Sequence, residues 1–572
     1  QMQNNGAICR QQLVATAHCR AWLVITLRPY NPEGVSFIRD VALDADQRGW
    51  KINGRQCVDF SAPAERHQFS YYRHGDVRLR LLAPCDEDSV KCNVGMATAA
   101  VMFELHPGQP REIVVSIPLA DDEIKKPSTS SHRKYPAWTE ALEGHAKLSV
   151  PDEHFQFLYD AALRTLVLHS PEDVYAGPYT YKRFWFRDAA FILHAMLCAG
   201  LTARAERVLD RFATRQTRGG YFLSQEGEWD SNGEALWIMR RFCELSGRKL
   251  KPEWIKPIRN GAHWIIRKRL SDNLDVAHAG LLPAGFSAEH LGPNDYYYWD
   301  DFWSIAGLQS AAKLIDELGD QISAAQFRKS ADDLAAAIER SLQATATRRD
   351  RAGIPASPYR RMDGGAIGSI TAGYPLQLWA PHDRRLLETA NFLIDECFVD
   401  GGFFQDMIHS GINLYLTLHV AQVLLRAGDP RALDLMKTVA ALASPTGQWP
   451  EAIHPRTLGG CMGDGQHVWA AAEWVMMIRN CFVREEGDKL ILVSGIPAHW
   501  LDTPKPITFG AAPTSFGNIS VSVVSNAKNI QVHWEPEWRS HEPVIEIQLP
   551  GFETIVVPQG QRSITLSRPC VS

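Results

Sequence analysis

The sequence predicts a multidomain α+β protein, with an (α/α)6 toroid of paired helices flanked by an N-terminal β-sandwich and a small C-terminal β-sandwich. Three observations carry this reading. At 572 residues the chain is too long for one ordinary core. Its hydrophobic period is two near both ends and 3.6 between them. The middle also reads as about a dozen successive helices, joined alternately by short turns and by longer loops. The expected layout is an N-terminal β-sandwich over 1–120, a linker over 121–150, the helical barrel over 151–485 and a C-terminal β-sandwich over 486–572.

Taken in order, Leu13-Val-Ala-Thr-Ala, Trp22-Leu-Val-Ile-Thr-Leu, Val35-Ser-Phe-Ile, Val77-Arg-Leu-Arg-Leu and Ile113-Val-Val-Ser-Ile are short β-rich runs. Turn formers such as Asn31-Pro-Glu-Gly34 separate them. The polar stretch from Asp121 to Arg133 reads as linker. Helices follow at 152–170, 188–200, 203–215, 232–246, 252–269, 300–317, 321–343, 366–379, 383–397, 409–427, 429–443 and 465–482. Beyond them Lys489-Leu-Ile-Leu-Val, Asn518-Ile-Ser-Val-Ser-Val-Val, Ile530-Gln-Val-His-Trp, Val544-Ile-Glu-Ile-Gln-Leu and Ile564-Thr-Leu return to strand patterning.

A formal net charge of −5 gives no bulk attraction to a polyanion, so a nucleic-acid partner is not expected. No run of about 18 apolar residues announces a membrane span. The eleven cysteines lack metal-ligand spacing and read as reduced thiols of a cytoplasmic protein. The first eight residues do not read as a signal peptide. Neither a metal nor a cofactor is expected, since no phosphate-cradling glycine loop or ligand cluster occurs. Nothing in the sequence speaks to oligomeric state.

The stretch Tyr181-Lys-Arg-Phe-Trp-Phe-Arg-Asp188 organises the chemistry, setting aromatic rings and an Arg-Asp couple before a buried helix. Three further loops repeat the pattern. They are Glu226-Gly-Glu-Trp-Asp230-Ser-Asn-Gly-Glu234, Asn294-Asp-Tyr-Tyr-Tyr-Trp-Asp-Asp-Phe-Trp303, and Trp449-Pro-Glu-Ala-Ile-His454 with Gly463-Asp-Gly-Gln-His467. Each precedes an even-numbered helix, which would bring all four to one rim. Asp188, Asp230 and Ser231 also suit N-caps, and Asp300 and Asp301 suit a helix dipole. Four such clusters at equivalent positions point further. Carboxylates among rings serve glycoside cleavage, in which one desolvated acid protonates the leaving oxygen and a second carboxylate activates water or attacks.

These features resemble the inverting glycoside hydrolases of the glucoamylase-like, six-hairpin superfamily, which includes trehalases, glycogen-debranching glucosidases and α-L-rhamnosidases. The W-x-R-D sequence, the helix count and the late Trp-Pro-Glu carry the likeness over roughly 150–485. The C-terminal Gly495-Ile-Pro-Ala-His-Trp500 and Pro513-Thr-Ser-Phe-Gly517 resemble the trailing sandwich of rhamnosidase-type enzymes.

The resemblance implies an exo-acting, inverting hydrolase acting on the end of an oligo- or polysaccharide. Arg187 and Asp188 match the couple that holds the terminal sugar, and Glu451 matches the general base. Asp301 is the expected acid, with Asp300 and Asp295 in reserve. Ser304 stands where glucoamylases carry a glutamate after Asp-Leu-Trp. Trp185, Trp229, Asp230, Asp295, Tyr298, Trp299, Trp303, Trp449, His454 and His467 complete the expected carbohydrate contacts. An inverting phosphorylase, with His454, Arg456 and His467 near Glu451, is one alternative. A carbohydrate-binding or polysaccharide-assembly protein without the acid is another.

Overall fold

The structure, a computed structural model, describes residues 8–31, 34–35, 37–85, 87–118, 138–287, 294–346, 353–406 and 410–568. The linker expected over Asp121–Arg133 lies outside them. The chain divides into two compact units, 1–135 and 136–572.

In the first unit one sheet runs in the order Ile8–Ala15, Arg111–Pro118, Gln56–Phe60, Gly49–Ile52, Asp40–Leu43, Ser89–Lys91. A second sheet orders Ala21–Leu27, Thr98–Leu105 and Arg66–Ser70. Val41, Trp50, Val58 and Phe60 from the first sheet and Phe69, Val101 and Phe103 from the second share one apolar core. The rings of Trp50 and Phe60 meet edge to face at 5.0 Å.

Val77-Arg-Leu-Arg-Leu departs from its expected strand and forms a 3-10 turn over Val77–Arg80. The Asp76 carboxylate caps it by accepting from the Arg78 N–H at 2.8 Å, and it also pairs with Arg28. Val77 alone goes inside, while Leu79 is 77% exposed, so the alternation has no sheet to serve.

The second unit is built on helices α1 (Trp138–Ala141), α2 (Glu153–Leu168), α3 (Phe186–Cys198), α4 (Thr202–Leu209), α5 (Ser231–Ser246) and α6 (Pro252–Lys268), followed by α7 (Tyr298–Asp316), α8 (Gln321–Ala346), α9 (Arg384–Cys397), α10 (Leu414–Arg426), α11 (Arg431–Ala441) and α12 (Val468–Phe482). α3 packs on α5, α5 on α7, α7 on a 3-10 segment at Gly364–Ala372, that segment on α10, α10 on α12, and α12 back on α3. A closed ring results. α2, α4, α6, α8, α9 and α11 alternate with these elements along the chain and pack against them while keeping one wet face. Ring helices are buried over most of their surface, α10 and α12 along their whole length, so apolar residues occur on every face of them.

Glycine sets the closest approach in the ring. A Cβ at Gly307 would lie 2.6 Å from the Gly233 Cα, and one at Gly233 would collide with the Trp303 carbonyl. Gly233→Ala is therefore expected to force α5 from α7 and to destabilise by about 1–3 kcal/mol. Thermal unfolding reads this directly, and an unchanged Tm would contradict so close a packing.

The helix expected over 366–379 is instead the 3-10 segment Gly364–Ala372, buried throughout. Gly364, Gly365 and Gly368 lower helix propensity, and Pro375 bars continuation of a regular helix. The helix expected from 409 begins at Leu414, because Gly411–Ile412 pairs as a strand instead. It belongs to a small sheet ordered Phe398–Val399, Gly402–Gln405, Gly411–Ile412, Ala452–Ile453, Gly460–Met462, which anchors the chain immediately after Glu451.

After α12, Val483–Glu486, Lys489–Leu492, Val544–Ile547 and Ile555–Val556 form one sheet. Ile507–Thr514, Gly517–Ser525, Asn529–Trp538 and Ser563–Ser567 form another, edged by Lys147–Ser149 from ahead of the ring. That strand lies within the span read as linker. Ile519, Val521, Val523 and Trp534 join the same apolar core as the ring helices. Among the described residues no helix is long and apolar enough to cross a membrane.

Candidate active site

The N-terminal ends of α3, α5 and α7 are tied together by one buried ion-pair set. Arg187, in the first turn of α3, donates from Nε to Asp230 at 2.8 Å, and its guanidinium lies 3.3 Å from Glu228. The Trp299 indole N–H, on α7, donates to the same Asp230 oxygen at 2.8 Å. Asp230 occupies the N-cap position of α5 without a side-chain cap bond, its carboxylate being spent on Arg187 and Trp299. All four side chains are almost fully buried, and removing either charge would leave the other unpaired in a dry site.

Two more carboxyls face this set. Asp300 follows Trp299 on α7 and is 1% exposed. Burial, with the charges of Asp230 and Asp301, holds its carboxyl well above the usual carboxylate range, against the pull of Arg187. Neither Asp300 oxygen has a hydrogen-bond partner among the described residues. Glu234, inside the first turn of α5, is likewise raised by burial and by Asp230. Two carboxylates thus offset Arg187, and two acids keep their protons.

The ends of α10 and α12 close the same rim. Glu451 is 7% exposed and accepts a hydrogen bond from the Tyr181 hydroxyl. The Tyr181 ring lies edge-on to Trp185 at 5.8 Å and to His467, the residue before α12, at 6.1 Å. His467 in turn meets Tyr415, in the first turn of α10, at 4.9 Å. Asp464 fixes the approach to α3, its carboxylate accepting from the N–H groups of Tyr179, Thr180 and Tyr181 at 3.1, 3.0 and 3.2 Å. Gly463 beside it has φ +64°, and a Cβ there would lie 2.6 Å from the Glu451 carboxylate. Trp185 and Asp188 are half-buried, with the Arg183 guanidinium 3.9 Å from the centre of the Trp185 ring.

Other candidates are engaged elsewhere. Asp301, adjacent to Asp300, accepts from the Leu282 N–H at 2.9 Å. Burial pushes its carboxyl up to about 8, against that bond and Arg269. Asp295 accepts from Ser357 at 2.6 Å and from its neighbour's N–H at 2.8 Å, holding a loop. Trp229 packs with Tyr221 and Trp264 under the Lys268 ammonium, in a satellite core. The Tyr298 hydroxyl bonds Ser341 on α8 at 2.8 Å. Trp303 packs edge-on to Phe191 and Trp237 inside the ring. The Trp449 indole donates to the Val439 carbonyl at 2.8 Å, towards α11. His454 is exposed and accepts from the Arg456 N–H at 3.2 Å.

Glu228, Glu234, Asp464 and Tyr181 join the site without having been singled out for it. Their signal was membership of the same aromatic-acidic loops. Deeper in the ring, Glu473 accepts from Tyr374 at 2.8 Å and from the Trp469 indole at 3.3 Å, with His419 at 3.2 Å. Among the described residues no group of three or more His, Cys, Asp or Glu is arranged to hold a metal ion.

No family model matches the sequence, and no curated protein matches it. Solved structures do. An α-L-rhamnosidase from Dictyoglumus thermophilum superposes with TM-score 0.52 at 12% identity, covering 97% of this chain. The chain spans 60% of that enzyme's length. A bacterial glucoamylase complexed with acarbose gives 0.48 at 14% identity, over 84% of this chain and 82% of its own. A putative kojibiose phosphorylase from human microbiome gives 0.48 at 8%, over 98% and 80%. At these identities the likeness is one of fold, shared with the α-L-rhamnosidase.

Proposed function

We propose that this protein is an inverting, exo-acting glycoside hydrolase in which Asp300 is the general acid and Glu451 the general base. On this reading the closed ring is the (α/α)6 catalytic domain of 151–485, between an N-terminal β-sandwich with its linker and a C-terminal β-sandwich. The observation that carries the reading is the pairing of two unlike carboxyls on one rim. Asp300 is kept protonated by burial and by Asp230, as an acid that donates to a leaving oxygen must be. Glu451 is oriented by the Tyr181 hydroxyl, as a carboxylate that takes a proton from water must be.

We assign the acid role to Asp300 rather than to Asp301, the acid expected from the sequence, because one Asp301 oxygen accepts from the Leu282 N–H while both Asp300 oxygens lack a hydrogen-bond partner among the described residues. Arg187 and Asp230 fix the wall beside the acid, and the half-buried Trp185 and Asp188 are the groups a terminal sugar would meet first. A ring face against Trp185 and hydroxyls on Asp188 would hold that sugar.

Hydrolysis is read over phosphorolysis because, of the three cationic candidates, His467 alone stands on the rim, against the Tyr181 ring. His454 is exposed and holds its own turn, so it is not offered to a phosphate beside Glu451. A panel of aryl glycosides and oligosaccharides, incubated with and without phosphate, tests this. Free sugar released in phosphate-free buffer is expected. A sugar 1-phosphate formed only when phosphate is added would overturn it.

A further inference from the structure

A second polar site lies at the opposite end of the ring, where the inner helices finish. A cavity of about 80 Å³ is lined by His194 late in α3, Arg240 and Arg241 in α5, Arg426 closing α10, Arg479 near the end of α12, and Arg484 and Glu485 just beyond it. Five guanidinium groups thus converge. Glu485 pairs with Arg241 at 3.3 Å and Arg479 at 2.7 Å, Glu244 pairs with Arg240 and Arg241, and Glu486 pairs with Arg426. Among the described residues three carboxylates pair with these five guanidinium groups, Glu317 and Glu546 acting on Arg240 and Arg484 only from beyond pairing distance.

Arg484 stands outside those pairs. It is 3% exposed, has no carboxylate within 4 Å among the described residues, and spends its terminal nitrogens on Ser494, Gln548 and the Arg426 carbonyl. Its Nε, the Nε of Arg479 and the Nε2 of His194 have no hydrogen-bond partner among the described residues. All three side chains are more than nine-tenths buried and line the cavity. Helix C-termini favour cations, which explains one arginine per helix end but not donors left over. Burial, with Arg426 beside it, lowers the Arg484 guanidinium to about 10 against the pull of Glu486 and Glu546. Burial, with Arg241 and Arg479 beside it, holds His194 well below the usual imidazole range, so it enters neutral and can donate one N–H.

We propose that this cavity is a binding site for a small tetrahedral oxyanion, inorganic phosphate or sulfate, held by Arg479, Arg484 and His194. The cavity has room for several water-sized groups, which suits an oxyanion and excludes a sugar ring. Planar guanidinium forks match such oxygens, and charge-assisted bonds in a dry site are the strong ones. α3, α5 and α12 each run from this cavity to the rim that bears Arg187, Asp230 and His467, so the anion would brace the ring that the rim stands on.

Thermal unfolding of the full chain, titrated with phosphate, sulfate, acetate and chloride at matched ionic strength, tests the site. A saturable rise in Tm with phosphate or sulfate, absent with acetate and chloride, is expected. Arg484→Met is expected to weaken phosphate binding at least about tenfold and, in anion-free buffer, to unfold no earlier than wild type, since it removes a buried charge outside those ion pairs. Should Arg484→Met not fold, His194→Leu gives the same readout. An equal response in the variants would overturn the proposal and would place any phosphate elsewhere, including at the rim. Because Tm and binding are read, the outcome is independent of the hydrolase assignment.

Discussion

Asp300→Asn is expected to lower kcat on unactivated glycosides by about 10²–10⁴-fold, the usual contribution of a positioned general acid. The isosteric amide keeps the side chain's volume and cannot supply the proton. A glycoside with a dinitrophenolate leaving group needs no protonation, so it should lose far less. Equal losses on both substrates would remove Asp300 from the acid role. Asp301→Asn should leave kcat within a few-fold, because its contact with Leu282 is structural.

Stability should move the opposite way. The Asp300 carboxyl is raised in the folded state, so the folded protein keeps a proton that the unfolded chain has already lost above about pH 4. Stability then falls as pH rises from that point towards the folded value, by up to about 1.4 kcal/mol per pH unit. Asparagine removes this dependence. Asp300→Asn should therefore melt higher than wild type at pH 7 while losing activity, the behaviour of a group retained for function at a cost in stability. Asp301, raised to about 8, should show the same sign between about pH 4 and pH 8 when changed to Asn.

Arg187→Met is expected to destabilise by about 3–5 kcal/mol and to abolish measurable hydrolysis. The guanidinium is the cation paired with Asp230 and Glu228, both nearly inaccessible to water. Without it two buried charges stand together in a low-dielectric site, and at least one must take a proton. Asp230→Asn in the same background should recover part of the lost stability, since the amide removes one charge and can still accept from Trp299. It should not recover activity. A full-length Arg187→Met protein with unchanged Tm would mean the set is solvated and is not a dry wall. Arg187→Lys separates charge from shape, because an ammonium cannot present the guanidinium's planar fork.

The sequence carried the ring and its rim better than it separated Asp300 from Asp301. Helices buried on all sides, such as α12 with its Trp-Ala-Ala-Ala-Glu-Trp run, still betray themselves by length and by capping loops rich in aromatics and acids. The same burial hides which side of a helix faces the ring axis. Consecutive residues point about 100° apart, and a helix apolar all round gives no stripe from which to take its register. Asp300 and Asp301 therefore looked alike, and only the neighbours, Asp230 for one and Leu282 for the other, distinguish them.

Trp229 and Trp299 make the same point. Both sit beside acidic residues at a helix start, yet Lys268 covers one and Asp230 holds the other. Val77-Arg-Leu-Arg-Leu had the period of a strand but lacked a partner strand, and a capping aspartate won. The three-residue strand Lys147–Ser149 was too short to carry a period at all.

The central claim is that Asp300 and Glu451 work as acid and base on opposite faces of one sugar, which requires their carboxyls roughly 6.5–9.5 Å apart with a water between. Proton NMR of the first-formed product, recorded before mutarotation on a cleaved glycoside of known anomeric configuration, tests it most directly. Inversion at the anomeric carbon is the predicted result. Retention would contradict the account, because it needs a carboxylate close enough to attack and leaves no room for the water that Glu451 is proposed to activate.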